Sequence, residues 1–256
     1  MKRSILTGIL ALAAGAAGLM GQPKGPAPKS KAELEALQAI FQQANNPDAV
    51  IKLADEFVTK FADSDFKENI LNMEAQAYYQ KKDETKAQIY AEQALQANPK
   101  SYQADIMLAE IISKSTRETD LDREEKLAKA EKYAKDAMDV VKDAPKPNPQ
   151  IPDAQWEEFK KTIAAQAHGA MGIANLTRKK FDVAASEFKA AYDNDPQPAY
   201  MVQQASALQS GGKNDEAIAL CDKILADPQL HPAIKNVATQ VRAQAVKAGG
   251  KAPGGQ

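Results

Sequence analysis

Residues 82–99 read KDETKAQIYAEQALQANP. The stretch holds no obvious catalytic group, yet its alanines fall at fixed places: Ala87, Ala91 and Ala94, with Pro99 closing the run. Spacings of four and three put the alanines on one stripe of a helix. Asp83 is placed to cap that helix, and proline ends it because it cannot supply the next backbone amide. Just upstream, Leu71, Ala75 and Tyr78 share one face of a preceding helix. Small side chains on facing stripes let two helices approach closely, with the leucine and tyrosine filling the space beside them. The stretch therefore predicts a tightly packed helical hairpin.

The same order recurs. From Ala165, the small Gly172 is followed by Phe181, Ala184, Phe188, Ala191 and Pro196, and residues 179–196 read KKFDVAASEFKAAYDNDP. From Pro198 come Met201, Ala205, Leu208, Ala217 and Cys221, with GGKNDEA at the turn. From Tyr102, Leu108, Ala109 and Ile112 fit, and Ala130, Ala134 and Ala137 resume after a charged insertion. A repeated small–large order at this spacing resembles the tetratricopeptide repeat family, whose unit is a helix–turn–helix of about 34 residues. The matching units are 68–101, 102–142 with its insertion, 165–197 and 198–229. Asn175 departs from the pattern, standing where an aromatic is usual.

Helix start signals fill in the rest. Asn46 before Pro47 opens one helix. Ser30 with Glu33 and Asp65 with Glu68 have capping-box spacing. Asp122, Asp153 and Asn214 are further caps. Helices are predicted at about 31–44, 47–62, 66–81, 84–97, 101–115, 123–142, 153–177, 181–194, 198–210, 214–226 and 231–247. The resulting expectation is an all-α chain of about eleven helices, a right-handed α-solenoid of stacked antiparallel helix pairs over 31–247. Two links are longer: the charged STRETDLDREE at 115–125 and the proline-rich DAPKPNPQIPDA at 143–154.

The ends differ from this body. Lys2 and Arg3 precede an uncharged, mostly apolar run at 5–20, the pattern of a secretory signal peptide over 1–22. Segment 23–30 reads as a flexible linker and 248–256 as a flexible tail. The chain is accordingly expected to be exported, to the periplasm or beyond, in a bacterial cell envelope. Membrane contact is expected only through the N-terminal segment, should it stay uncleaved. The single cysteine, Cys221, excludes an intramolecular disulfide, so packing must supply the stability.

Chemistry is sparse. His168 and His231 lack metal-ligand spacing, Cys221 falls at a helix-packing place, and the RKK at 178–180 reads as a solvated corner. Trp156 and Phe159 read as core. No catalytic residue, metal site or cofactor is expected, and a net charge of −1 with both signs interspersed leaves no field for nucleic acid.

The family resemblance implies a non-enzymatic module that takes a protein or peptide segment in the concave groove lined by the first helices. It places Asn69, Asn72, Gln76 and Tyr79 in that groove in one unit, and Gln166, Gly169, Ile173 and Leu176 in another. Repeat packing would rest on Leu71, Ala75, Tyr78, Ala87, Ala94, Pro99, Gly172, Ala184, Phe188, Ala191, Pro196, Ala205 and Ala217. The alternative is a structural accessory subunit of an envelope complex that uses its outer face or the loop at 143–154. A small-molecule or enzymatic role is a third reading, for which the residues offer few converging ionisable groups.

Overall fold

A computed structural model describes residues 26–148 and 150–251. The predicted signal segment and the last five residues of the tail lie outside them. Among the described residues there are eleven helices and no strand. They are α1 Lys31–Gln42, α2 Pro47–Lys60, α3 Lys67–Gln80, α4 Glu84–Ala97, α5 Tyr102–Ser115 and α6 Arg123–Asp143, followed by α7 Asp153–Thr177, α8 Phe181–Asn194, α9 Pro198–Ser210, α10 Asn214–Leu225 and α11 Pro232–Lys247. Every predicted helix is present, with its ends within two residues of the expected ones. No helix among the described residues is long and apolar enough to cross a membrane.

The caps divide into those that form and those whose side chains are drawn elsewhere. Asn46 accepts from the Ala49 amide at 3.3 Å, and Asp83 accepts from that of Lys86 at 3.1 Å. Ser30 accepts from the Glu33 amide at 3.1 Å, but the reciprocal half of that box does not form. Glu33 instead accepts from the Lys29 amide and from the buried Ser64 hydroxyl, which ties α1 to the turn after α2. The expected Asp65–Glu68 box is also absent: Phe66 precedes α3, and Glu68 bonds to Asn72 and Ser101. Asn214 lies inside the first turn of α10 rather than capping it, its place being taken by Lys213. His231 caps α11, accepting from the Ala233 amide at 3.2 Å.

Three hairpin turns share one backbone device. Lys82, Lys179 and Gly212 have φ of 63°, 61° and 81°, the left-handed conformation that reverses the chain after a helix. At each, the following amide bonds back five residues: Asp83 to Tyr78 O, Lys180 to Asn175 O, and Lys213 to Leu208 O. The last carbonyls of α3, α7 and α9 are thereby satisfied, and the next helix is folded back along the one before it.

The chain forms two compact units. One runs up to Leu108 and includes Val140–Glu158; the other comprises Ala109–Asp139 and the residues from Phe159 onward. In the first, Leu37, Ile40, Ala54, Phe57, Phe66 and Ile70 join α1, α2 and α3 into one apolar cluster. Next to it α3 packs on α4, with Ala75, Ala87, Ala91 and Ala94 all fully buried. Tyr78 stacks on Tyr90 with ring centroids 5.2 Å apart. Pro99 stays exposed just beyond α4.

In the second unit, Ala184, Ala185, Phe188, Ala207, Leu208, Ala217, Ile218 and Ala245 form the core of α8 to α11. Cys221 is buried with Ala205 and Val241, and burial pushes its thiol up to about 11. Ala191 is buried, and Pro196 is exposed past the end of α8. Gly172 is a close approach between helices. A Cβ there would sit 2.6 Å from Cε1 of Phe188, so only glycine admits that ring.

Candidate functional site

Helix α3 presents its remaining surface as a narrow strip. Ile70, Leu71, Glu74, Ala75, Ala77 and Tyr78 are buried, and Asn69, Met73, Gln76 and Tyr79 lie along one side that continues to the exposed Gln80, with Lys67 and Glu68 half-buried in the first turn. Gln76 is exposed, and Asn69 and Tyr79 are half-buried. Met73 packs on the cluster around Phe57. Two amides and a phenol can donate to and accept from the backbone of an extended segment without demanding a charge on it.

Asn72, expected in the same strip, is only 8% exposed. Its Nδ2 donates to Glu68 Oε1 at 2.5 Å and to Ser101 Oγ at 3.0 Å. Ser101 in turn donates to the same Glu68 oxygen. The three side chains tie α3 to the start of α5. Burial raises the Glu68 carboxyl against the lowering effect of these bonds, and burial together with Glu68 pushes Tyr102 up to about 12. Asn72 thus holds the helix in place while its neighbours face outward.

The corresponding places in the second unit are largely filled by packing. Gln166 is half-buried. Gly169 is buried, with Cε1 of Tyr200 3.0 Å from where a Cβ would sit, so that ring occupies the face. Ile173 and Leu176 lie against the Ala184–Phe188–Leu208 cluster. His168, one turn before Gly172, has its Nδ1 2.7 Å from Glu187 Oε2. Among the described residues no group of three His, Cys, Asp or Glu side chains could hold a metal ion. Trp156 and Phe159 are both buried, as the sequence led one to expect.

Two arrangements escape a reading of the sequence. The first is Arg178. Far from a solvated corner, its side chain is 9% exposed and bonds Glu124 at 2.8 Å and Glu131 at 2.6 Å. Asn175 adds a third bond, to Glu131 at 3.1 Å, and Lys179 pairs with Glu118 at 2.8 Å. The end of α7 is thereby clamped to α6 and to the charged loop before it. The second is Glu74, fully buried on α3 with Asp55 of α2 and Tyr90 of α4 beside it. The available signal was register: Glu74 falls between Ile70 and Ala77 on a buried stripe, where a carboxylate has no ordinary place.

A cleft of the first unit lies over the start of α3 and along α4, lined by Lys67, Leu71, Ile89, Glu92, Gln93 and Gln96. Ile89 is a large apolar side chain left exposed there.

No family profile matches the sequence, and no curated protein matches it. Among solved structures, the chain is similar to the crystal structure of TTC0263, a thermophilic TPR protein of Thermus thermophilus. The two are 19% identical, the match covers 82% of this chain and 98% of that one, and the TM-score is 0.56. Together with the eleven helices and the absence of strands among the described residues, this likeness makes the fold TPR-like.

Proposed function

We propose that the protein is a non-enzymatic interaction module that takes an extended segment of a partner protein along α3. The observation that carries this reading is the strip of Asn69, Gln76 and Tyr79, polar side chains partly or fully open to solvent on a helix that is otherwise buried through its middle turns. TPR-like folds generally mediate protein–protein contact, which agrees with it. The rigid hairpin supplies pre-organisation, so little entropy is lost by the receptor when a segment docks. The place of action we infer is the bacterial cell envelope, on the signal-like pattern of residues 1–22.

The test is crosslinked capture of partners from native envelopes by the full-length chain and by a variant carrying Asn69→Ala, Gln76→Ala and Tyr79→Ala. Asn72 is left intact because its truncation would remove one buried bond each from Glu68 and Ser101. Loss of a partner in the variant is expected, and Tyr79→Ala alone should weaken binding by about 1–2 kcal/mol, roughly five- to thirtyfold. Unchanged capture would remove α3 as the docking surface.

One observation favours a second reading, that of a structural accessory subunit. Ile89 stands exposed in the cleft along α4, where an apolar side chain of a neighbouring subunit could cover it. In that case Ile89→Asp would abolish the capture that the α3 variant leaves intact.

A further inference from the structure

Glu74 is the most deeply buried carboxyl group of the first unit, with no exposed surface and neither oxygen in a hydrogen bond of good geometry. A carboxylate in that condition would have lost its water without any compensating donor, a large cost that proteins avoid by keeping the group neutral. The groups facing it decide how. From α2 comes Asp55, an exposed acid that lies beside Glu74. From α4 comes Tyr90, whose hydroxyl donates to Asp55 Oδ1 at 3.2 Å. The Tyr90 ring is fixed in turn by stacking on Tyr78, above which Lys86 Nζ lies 5.0 Å from the ring centroid. Tyr90 lies between the two acids and its single hydroxyl proton goes to Asp55, so a proton on Glu74 supplies the donor that the pair lacks.

We propose that Glu74 and Asp55 share a single proton, held on Glu74 and donated to Asp55, and that this contact, closed by Tyr90, is a pH-responsive catch pinning α2 to the α3–α4 hairpin. Two carboxyls brought together resist ionising at the same time, so the more buried one keeps its proton to a higher pH. Burial first, then the nearby Asp55 charge, pushes Glu74 up to about 8. In acid the catch is closed. As the pH rises through neutrality towards 8 the proton is lost, and two like charges then face each other across the α2–α3 contact. Because α3 carries the Asn69–Gln76–Tyr79 strip, the catch acts on the helix that presents the proposed docking surface, although it stands or falls independently of that reading.

The test is a carbon-13 titration of glutamate side-chain carboxyls in the full-length folded protein, paired with chemical denaturation between pH 5 and 9. Glu74 is expected to titrate with a midpoint near 8. Asp55→Asn should shift that midpoint downward by removing the like charge. Glu74→Gln, whose amide can donate to Asp55 at every pH, should abolish the part of the stability loss that the native protein shows as pH rises from 5 to 8. A Glu74 midpoint in the ordinary carboxylate range would overturn the proposal, even if the glutamine variant failed to fold. A glutamine variant with the native pH profile would overturn it as well.

Discussion

At the scale of single residues, Gly172 sets two opposed effects against each other. Alanine in place of a helical glycine ordinarily gains about 1 kcal/mol by reducing backbone entropy and adding helix propensity. Here the new methyl would meet three atoms of the Phe188 ring between 2.6 and 2.9 Å. That ring is fully buried among Ala184, Leu208, Ala217 and Ile218 and has no free direction to move. Overpacking a well-filled core costs about 1–3 kcal/mol, and contacts this short belong at the upper end. Gly172→Ala is therefore expected to destabilise the protein by about 1–2 kcal/mol net, read as a lowered denaturant midpoint at unchanged slope. A neutral or stabilising outcome would mean that α7 and α8 can part at that crossing. This glycine was legible in the sequence because its place in the repeat demands a small side chain. The role of Asn72 was not, since its spacing matches the outward strip as well as the inward bonds. Only the nearness of Ser101, twenty-nine positions on, decides between them.

At the scale of elements, helix boundaries were legible because periodicity, caps and prolines agree, whereas the ties between helices were not. Periodicity states which face is apolar but is silent on which charged residue reaches which partner, since such pairs are far apart in the chain. Arg178 shows this: RKK after a helix looks like any solvated turn, yet its partners lie 47 and 54 residues upstream. Its planar fork divides between Glu131, mostly buried, and Glu124, mostly exposed. The exposed half is worth little. The buried half is a charge-assisted bond whose loss leaves Glu131 short of a partner, though Asn175 still donates to it. Arg178→Ala should cost about 1.5–3 kcal/mol, and Arg178→Lys should recover only part of it because an ammonium cannot span both acids. Hydrogen exchange should then rise at the end of α7 and the start of α6. If the alanine variant matches the native protein in both stability and exchange, the clamp is ornamental.

For the whole molecule, the two units carry titrating groups of opposite sense. In the first, Glu74 and Glu68 are raised, chiefly by burial. A folded state that holds protons which the unfolded chain releases is most stable below the unfolded value of 4.5. It loses that stability as pH rises, a loss complete for Glu74 at about 8. In the second, Asp120 is lowered, mainly by the Arg117 amide and then by Lys126, and Glu124 by its bond to Arg178. Their contribution is present above the unfolded values of 3.8 and 4.5 and is lost as pH falls through the depressed ones. Asp153, held low by Lys146, adds a loss of the same sign to the first unit, but only below 3.8. Acidification should therefore act in two stages. From pH 8 to 5, amide protection in α3 and α4 should increase in the native chain and stay level in Glu74→Gln. Below pH 5, protection around the 116–124 loop and the end of α7 should fall, and Arg178→Ala should blunt that fall. Native-state hydrogen exchange, corrected for the intrinsic pH dependence of the amides, reads both stages in one series. Parallel changes in both units across the whole range would mean that the chain unfolds as one cooperative block and that local titration does not reach the amides around it.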